Sequence, residues 1–317
     1  RSEMSELPAT LREEAVRVKN DKWNDDATWN SYEKDFRIHE YEIYSEPNTW
    51  ANKLGIGPFS RLTQPTGIRL KSGELVFILV NQSVANSDGK LYAEMVSGVS
   101  LTGTQITWKR GYNAIIASND CELFITYNLT NSSKLLSKYP DILIHIAGGT
   151  CNGTFDMNRG HTESDWTWLL NNMFKDTYLH LRSKYHVMNC YLDRVKNTDN
   201  MVGALNIWDY VFETEEKLMT SRFNDGYYRP IMLIFDNTSG NPNWSSGRVS
   251  MPGMWGNGAL NYNSLLYTGE PGGQQWVIQH EEGHGHQGPI NLSGTTEISN
   301  NALAPIVTHL WGYRTTR

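Results

Sequence analysis

The chain has 317 residues, with 28 Lys and Arg against 34 Asp and Glu and a formal net charge of −6. That length sets a prior of one large or two packed domains, and 39% hydrophobic residues supply a core that a disordered chain lacks. A mildly acidic balance with no dense basic run excludes nucleic acid or an anionic membrane surface as the first partner, and no apolar run reaches the roughly 18 residues of a membrane helix.

In chain order, Leu7 to Lys22 carries Leu11, Ala15 and Val18 at helical spacing, which predicts a short helix. Thr66 to Glu74 reads as a strand entering a turn, and Leu75 to Val80 as a buried strand. Gln105 to Lys109, Ala114 to Ala117 and Glu122 to Tyr127 read as further strands between Gly and Asn punctuation. This spacing predicts a β-sandwich-like unit over residues 35–130. Beyond it, Ile142 to Ile146 is a core strand ending in Gly148-Gly149. From His161 to His186 the pattern turns helical, with Trp166, Leu169, Leu170, Met173 and Phe174 on one face. A further helix is expected from Met201 to Met219 and a buried strand from Ile231 to Phe235. The fold class is therefore α+β, with an N-terminal helix and β-sandwich-like subdomain (1–135) packed on a mixed α/β unit (136–317). Cys121, Cys151 and Cys190 are too few and too far apart for a disulfide framework or a thiolate site, and are expected as buried free thiols.

Residues 280–284 read His-Glu-Glu-Gly-His, after a helix-forming run that begins at Gln274. A helix turns about 100° per residue, so His280 and His284 share one face and can grip one ion. Two imidazoles suit zinc, a tetrahedral ion whose catalytic sites take three protein ligands and keep one position for water. Glu281 then stands beside that position as the base that activates the zinc-bound water. The preferred third ligand is Glu297, the only acidic residue after Glu282, placed in the first turn of a helix capped by Thr295 or Thr296. The rival, His286, lies about 200° around the helix from His284. Asn301, one turn past Glu297, is either a partner for the free nitrogen of a ligand histidine or an ordinary surface residue.

His280 to Gln287 followed by Thr296 to Asn301 resembles the M60-like (enhancin-type) peptidases, a family of gluzincins. Pro65 to Glu74 is similar to that family's β-rich entry segment. His145 to Gly149 is similar to its strand-to-Gly-Gly element, with Ala147 where an acidic residue is expected. The resemblance implies a gluzincin core, one Zn²⁺ held by His280, His284 and Glu297, and Glu281 as general base. It implies a secreted or cell-surface bacterial endopeptidase acting on mucin-like O-glycosylated proteins. Gluzincins usually continue with helices that wall the cleft, and this chain stops about twenty residues after Glu297.

Met254 to Tyr262, just before the zinc helix, is expected to hold an edge strand that pairs with extended substrate, with Trp255, Asn257, Gly258 and Tyr262 as substrate contacts. The alternative there is a Gly-rich surface turn. A monomer is expected. Two other readings compete: a glycan-binding adhesin with a vestigial metal site, and a zinc peptidase indifferent to glycosylation. The intact Glu281 argues against the adhesin, because a binding site has no use for a positioned base.

Overall fold

A computed structural model describes residues 3–54, 59–81, 89–99, 103–129, 138–219, 230–245, 247–266 and 274–312. Helices α1 (Ala9–Asn20) and α2 (Ala27–Arg37) open the chain. The carboxylate of Asp26 caps α2 by accepting from the Trp29 N–H at 2.8 Å. Strand β1 (Ile38–Tyr41) and helix α3 (Pro47–Leu54) lead into β2 (Gln64–Leu70), β3 (Leu75–Val80), β4 (Gly89–Val96), β5 (Thr104–Thr107), β6 (Gly111–Ile116) and β7 (Cys121–Leu129). After these come β8 (Ile142–Ala147), β9 (Thr150–Cys151) and β10 (Phe155–Asp156).

Two antiparallel sheets form from this half, in the orders β1-β8-β3-β6 and β5-β4-β7-β2-β9. Val76 and Ile78 of β3, Ile144 of β8, and Leu123 and Ile125 of β7 belong to one buried cluster, so the two sheets share a core. β7 lies between β4 and β2 and is buried at every residue, its polar Glu122, Thr126 and Asn128 included. Strand β8, from beyond residue 135, sits in the middle of the first sheet. Its Gly148-Gly149 turn is closed by Arg37, whose guanidinium donates to both glycine carbonyls (2.8 and 3.1 Å). Glu74 supplies a carboxylate there by accepting from the Gly149 N–H at 3.2 Å.

The remaining elements are α4 (Glu163–Asn172), β11 (Tyr178–Arg182), β12 (His186–Tyr191), α5 (Leu192–Val195), α6 (Met201–Met219), β13 (Ile231–Phe235), β14 (Asn243–Ser245) and β15 (Arg248–Ser250). Among the described residues, five α-helices follow the last strand: α7 (Gly253–Ala259), α8 (Tyr262–Leu266), α9 (Gln274–His286), α10 (Thr296–Ser299) and α11 (Leu303–Leu310). The third sheet, β10-β11-β12-β13-β15-β14, is mixed, and β14 is its edge. The two faces of β13 go to different layers. Met232 and Ile234 pack with Leu62, just before β2, and with Val96 and Phe124 of the second sheet, whereas Leu233 and Phe235 join the core that holds Leu205, Trp208 and Phe212 of α6. The α+β class, a β-sandwich packed on a mixed α/β core with the His-Glu-Glu-Gly-His helix, is the observed fold. The three cysteines are buried and free.

Two sequence expectations are corrected. The helical stretch expected from His161 to His186 is helix only over α4, after which Tyr178–Arg182 is a strand. β11 pairs on both sides, and its Tyr-Leu-His-Leu-Arg does alternate as a strand should, but over only five residues that follow a strongly helical run. The segment expected as an edge strand, Met254 to Tyr262, is instead helix α7 with the start of α8. Pro252, at φ −75°, takes the position preceding its first turn, and α7 packs against α8 and α9.

Candidate metal centre

Helix α9 places His280 and His284 one turn apart on the face turned to a cavity of about 660 Å³, with Glu281 beside them. Facing ligand atoms of these three residues lie within 4.8 Å of one another. Glu297, in the first turn of α10, reaches across so that its Oε2 is 3.2 Å from His280 Nε2 and 3.5 Å from His284 Nε2. These separations match the roughly 3.3 Å edge of a tetrahedron with 2.0–2.1 Å bonds, so the donor set fits a zinc-type ion. Thr295 stands at the N-cap of α10, but its hydroxyl donates back to the Leu292 carbonyl at 2.9 Å instead of capping the helix.

An outer partner prepares the His280 imidazole. His280 Nδ1–H donates to Asn301 Oδ1 at 2.8 Å, which leaves Nε2 with the free lone pair. Asn301 is itself tied to the Glu297 carbonyl, so one side chain links a histidine to the segment bearing the carboxylate. The Gln287 carboxamide lies between His284 Nδ1 (2.8 Å) and Ser299 Oγ (2.8 Å). Asn300 donates to the His280 carbonyl at 3.1 Å and lies 3.1 Å from His284 Nε2. The Trp276 ring covers His280 at 4.8 Å between centroids.

Two glycines let these parts approach. A Cβ on Gly283 would meet Asn300 atoms at 3.2 and 3.3 Å, and one on Gly285 would lie 2.7 Å from the Trp244 ring. Gly283 thus admits the segment that carries Glu297, and Gly285 admits the edge strand β14. The backbone N–H of Trp244 is close enough to the Glu281 carboxylate to favour its charged form. Burial lifts the Glu281 carboxyl to about 7; Glu297 adds to this, while His280 and the Trp244 N–H oppose it. His284 is lowered, chiefly by burial.

Trp255 lines the same cavity with Trp244, Trp276, Asn241 and Asn243. Gly258 and Tyr262 are not among its lining residues: Tyr262 packs at Gly203 on α6 and its N–H donates to Asp199. The Asn257 side chain lies outside the described residues. His286 points to the opposite side of α9, buried against Glu215 (3.0 Å), and takes no part in the ligand face.

A profile of the peptidase M60, enhancin and enhancin-like family matches residues 157–315, half of the chain. The chain belongs to this family. Among solved structures, it is 24% identical to a metallopeptidase from Bacteroides thetaiotaomicron, with a TM-score of 0.83 over 100% of this chain and 53% of that one. A metallopeptidase in complex with Tn antigen is 24% identical, with a TM-score of 0.80 over 91% of this chain and 54% of that one. The M60 catalytic domain of Clostridium perfringens ZmpC, in complex with the sialyl T antigen, is 16% identical, with a TM-score of 0.60 over 86% of this chain and 57% of that one. At these identities the structures establish the M60 fold, and the chain spans about half the length of the first two. No curated protein matches the chain.

The M60 zinc-helix pattern led the sequence to the ligand face, but several residues around it escaped. Gln287 and Asn300 carry a weak local signal, being three residues after His284 and next to Asn301. Trp244 carries none, since only the folded sheet brings it to Gly285.

Proposed function

We propose that the chain is the zinc-dependent endopeptidase unit of a secreted or cell-surface protein, acting on mucin-like O-glycosylated proteins. The observation that carries the reading is the convergence of His280, His284, Glu297 and Glu281 on one cavity bordered by a free strand edge. The residues that would hold the ion are His280, His284 and Glu297. When bound, zinc supplies a Lewis acid for the scissile carbonyl and lowers the pKa of the attacking water. Glu281 takes the proton of that water and passes it to the leaving amine.

The outer edge of β14 is the one to which an extended peptide adds a strand, a role the sequence had assigned to residues 254–262. Trp244, Trp255 and Trp276 offer ring faces, and Asn241 and Asn243 offer carboxamides, a lining suited to a sugar beside a peptide. The Tn and sialyl T antigens in two relatives support a GalNAc-bearing serine or threonine as the recognised unit. Catalysis in this reading belongs to the six-stranded sheet and α6–α11. The division from the β-sandwich then falls near residue 152, where the strands of the first two sheets end, and the unit acts as a monomer.

The test is digestion of an O-GalNAc glycopeptide and its bare twin, read by mass spectrometry, with wild type, Glu281→Gln and chelator-treated protein. Cleavage of the glycopeptide alone, abolished by both treatments, is expected. Equal cleavage of both peptides would keep the zinc chemistry and remove the glycan requirement. Cleavage of neither, in a protein that binds no zinc, would favour the adhesin reading.

A further inference from the structure

The face of α9 opposite the ligands is as polar as the ligand face, although it is buried. Counting about 100° per residue from His280, His284 lies near 40°, whereas Glu282 and His286 lie near 200° and 240°. Both point into the core, where the side chains of Glu282 and His186 are 0% exposed. Glu282 Oε1 is 2.5 Å from His186 Nε2, and Asp209 Oδ1 is 2.9 Å from His186 Nδ1. The Asp209 carboxylate is fixed by the Ser183 hydroxyl (2.7 Å) and by the N–H groups of Lys184 (3.1 Å) and Tyr185 (3.0 Å). Trp208 and Phe212 stand edge-on to the imidazole, with ring centroids 5.7 and 5.6 Å away.

Such a buried ionic chain is a poor source of stability, because desolvation offsets most of the attraction and apolar side chains of similar volume do as well. What apolar packing lacks is direction. A helix side chain ends about 5–6 Å from the axis, so a roll of only about 10° displaces an imidazole nitrogen by about 1 Å. A displacement of that size is enough to cost roughly 100-fold in rate.

We propose that Glu282, His186 and Asp209 form a positioning triad that sets the rotational register of α9, anchoring the ligand face to the β11–β12 turn. None of the three touches the ligand side chains in the cavity; they act through the helix that carries them. The inference rests on the reading that this face of α9 holds a catalytic metal.

The experiment compares the wild type with three variants: Glu282→Gln, Asp209→Leu and the double variant Glu282→Leu/His186→Phe. Each is measured for thermal stability without metal, for the visible absorption and affinity of bound Co²⁺, and for kcat and KM on an O-GalNAc glycopeptide. The double variant is expected to stay folded and to lose roughly 100-fold in kcat, with KM within about threefold and an altered Co²⁺ spectrum. Glu282→Gln keeps an oxygen acceptor for His186 and is expected near wild type. A double variant with the wild-type spectrum and kcat overturns the proposal, as does Glu282→Gln falling as far as the double variant. If the double variant fails to fold, Asp209→Leu decides, since it frees His186 without touching α9: an altered Co²⁺ spectrum supports the triad and an unchanged one refutes it. If wild type cleaves no glycopeptide, the substrate reading fails while the Co²⁺ spectra still decide this one.

Discussion

Removing the Asn301 side chain perturbs the metal centre without touching a ligand. Asn301→Ala deletes the acceptor for His280 Nδ1–H at 2.8 Å and the bond from its amide to the Glu297 carbonyl at 2.6 Å. Losing an outer partner of a metal-bound histidine costs about 10–100-fold in metal affinity, or about 1.4–2.7 kcal/mol. The His280 side chain is 12% exposed, so water can replace part of the lost bond, and the lower half of that range is expected, about 10–30-fold. Asn301→Asp separates the two contacts. It also loses the amide donor to Glu297, but its carboxylate still accepts from His280, now with charge assistance. Its affinity is expected to stay within about threefold of wild type. The assay is Zn²⁺ competition with a chromophoric chelator at neutral pH, with thermal unfolding of the metal-free proteins as a control for folding. The reasoning is refuted if Asp weakens binding as much as Ala, which would place the effect at Glu297, or if Ala changes affinity by less than twofold.

Other outcomes follow from the same geometry. Gly285→Ala raises helix propensity by at most about 1 kcal/mol but pushes the Trp244 ring out from 2.7 Å. Unchanged or higher thermal stability is therefore expected with a loss of roughly tenfold in kcat/KM, and tryptophan fluorescence reports the displaced ring. Glu281→Gln should abolish turnover while Zn²⁺ still binds, which metal analysis of the purified variant checks. For His186, burial alone would lower the pKa, but Glu282 and Asp209 outweigh it and raise it to about 9. Because the folded value lies above the unfolded value near 6.5, this contribution is complete below about pH 6.5 and is lost as the pH rises towards 9. Urea unfolding of wild type should thus weaken over that window by up to roughly 3 kcal/mol, with a smaller slope in His186→Phe.

The ligand face was legible because its information is local. Two histidines four apart on a helix face one way whatever surrounds them, and Glu297 had no acidic competitor downstream. Most strands from β2 to β8 were legible for a similar reason, since short runs between Gly and Asn turns leave little freedom, although β4 (Gly89–Val96) was not among those read. The segment 161–186 was not, because the alternation of Tyr178–Arg182 covers only five residues and follows the helical pattern of Glu163–Asn172. The substrate edge was displaced too. Gly-rich 253–258 offered no periodicity, and β14 is three residues long.

The sequence by itself determined the class of the fold and the helix that bears the proposed donors, and it singled out Glu281 and Glu297 as the candidate base and third carboxylate. Those follow from spacing within a few turns of chain. Tertiary structure decided which way that helix faces, which strand borders the cavity and what lies beside the base. Trp244 meets Gly285 only through the sheet, and Glu282 meets His186 across 96 residues of chain. Contacts of that range depend on how sheets and helices pack, and the pattern of any one segment does not contain them.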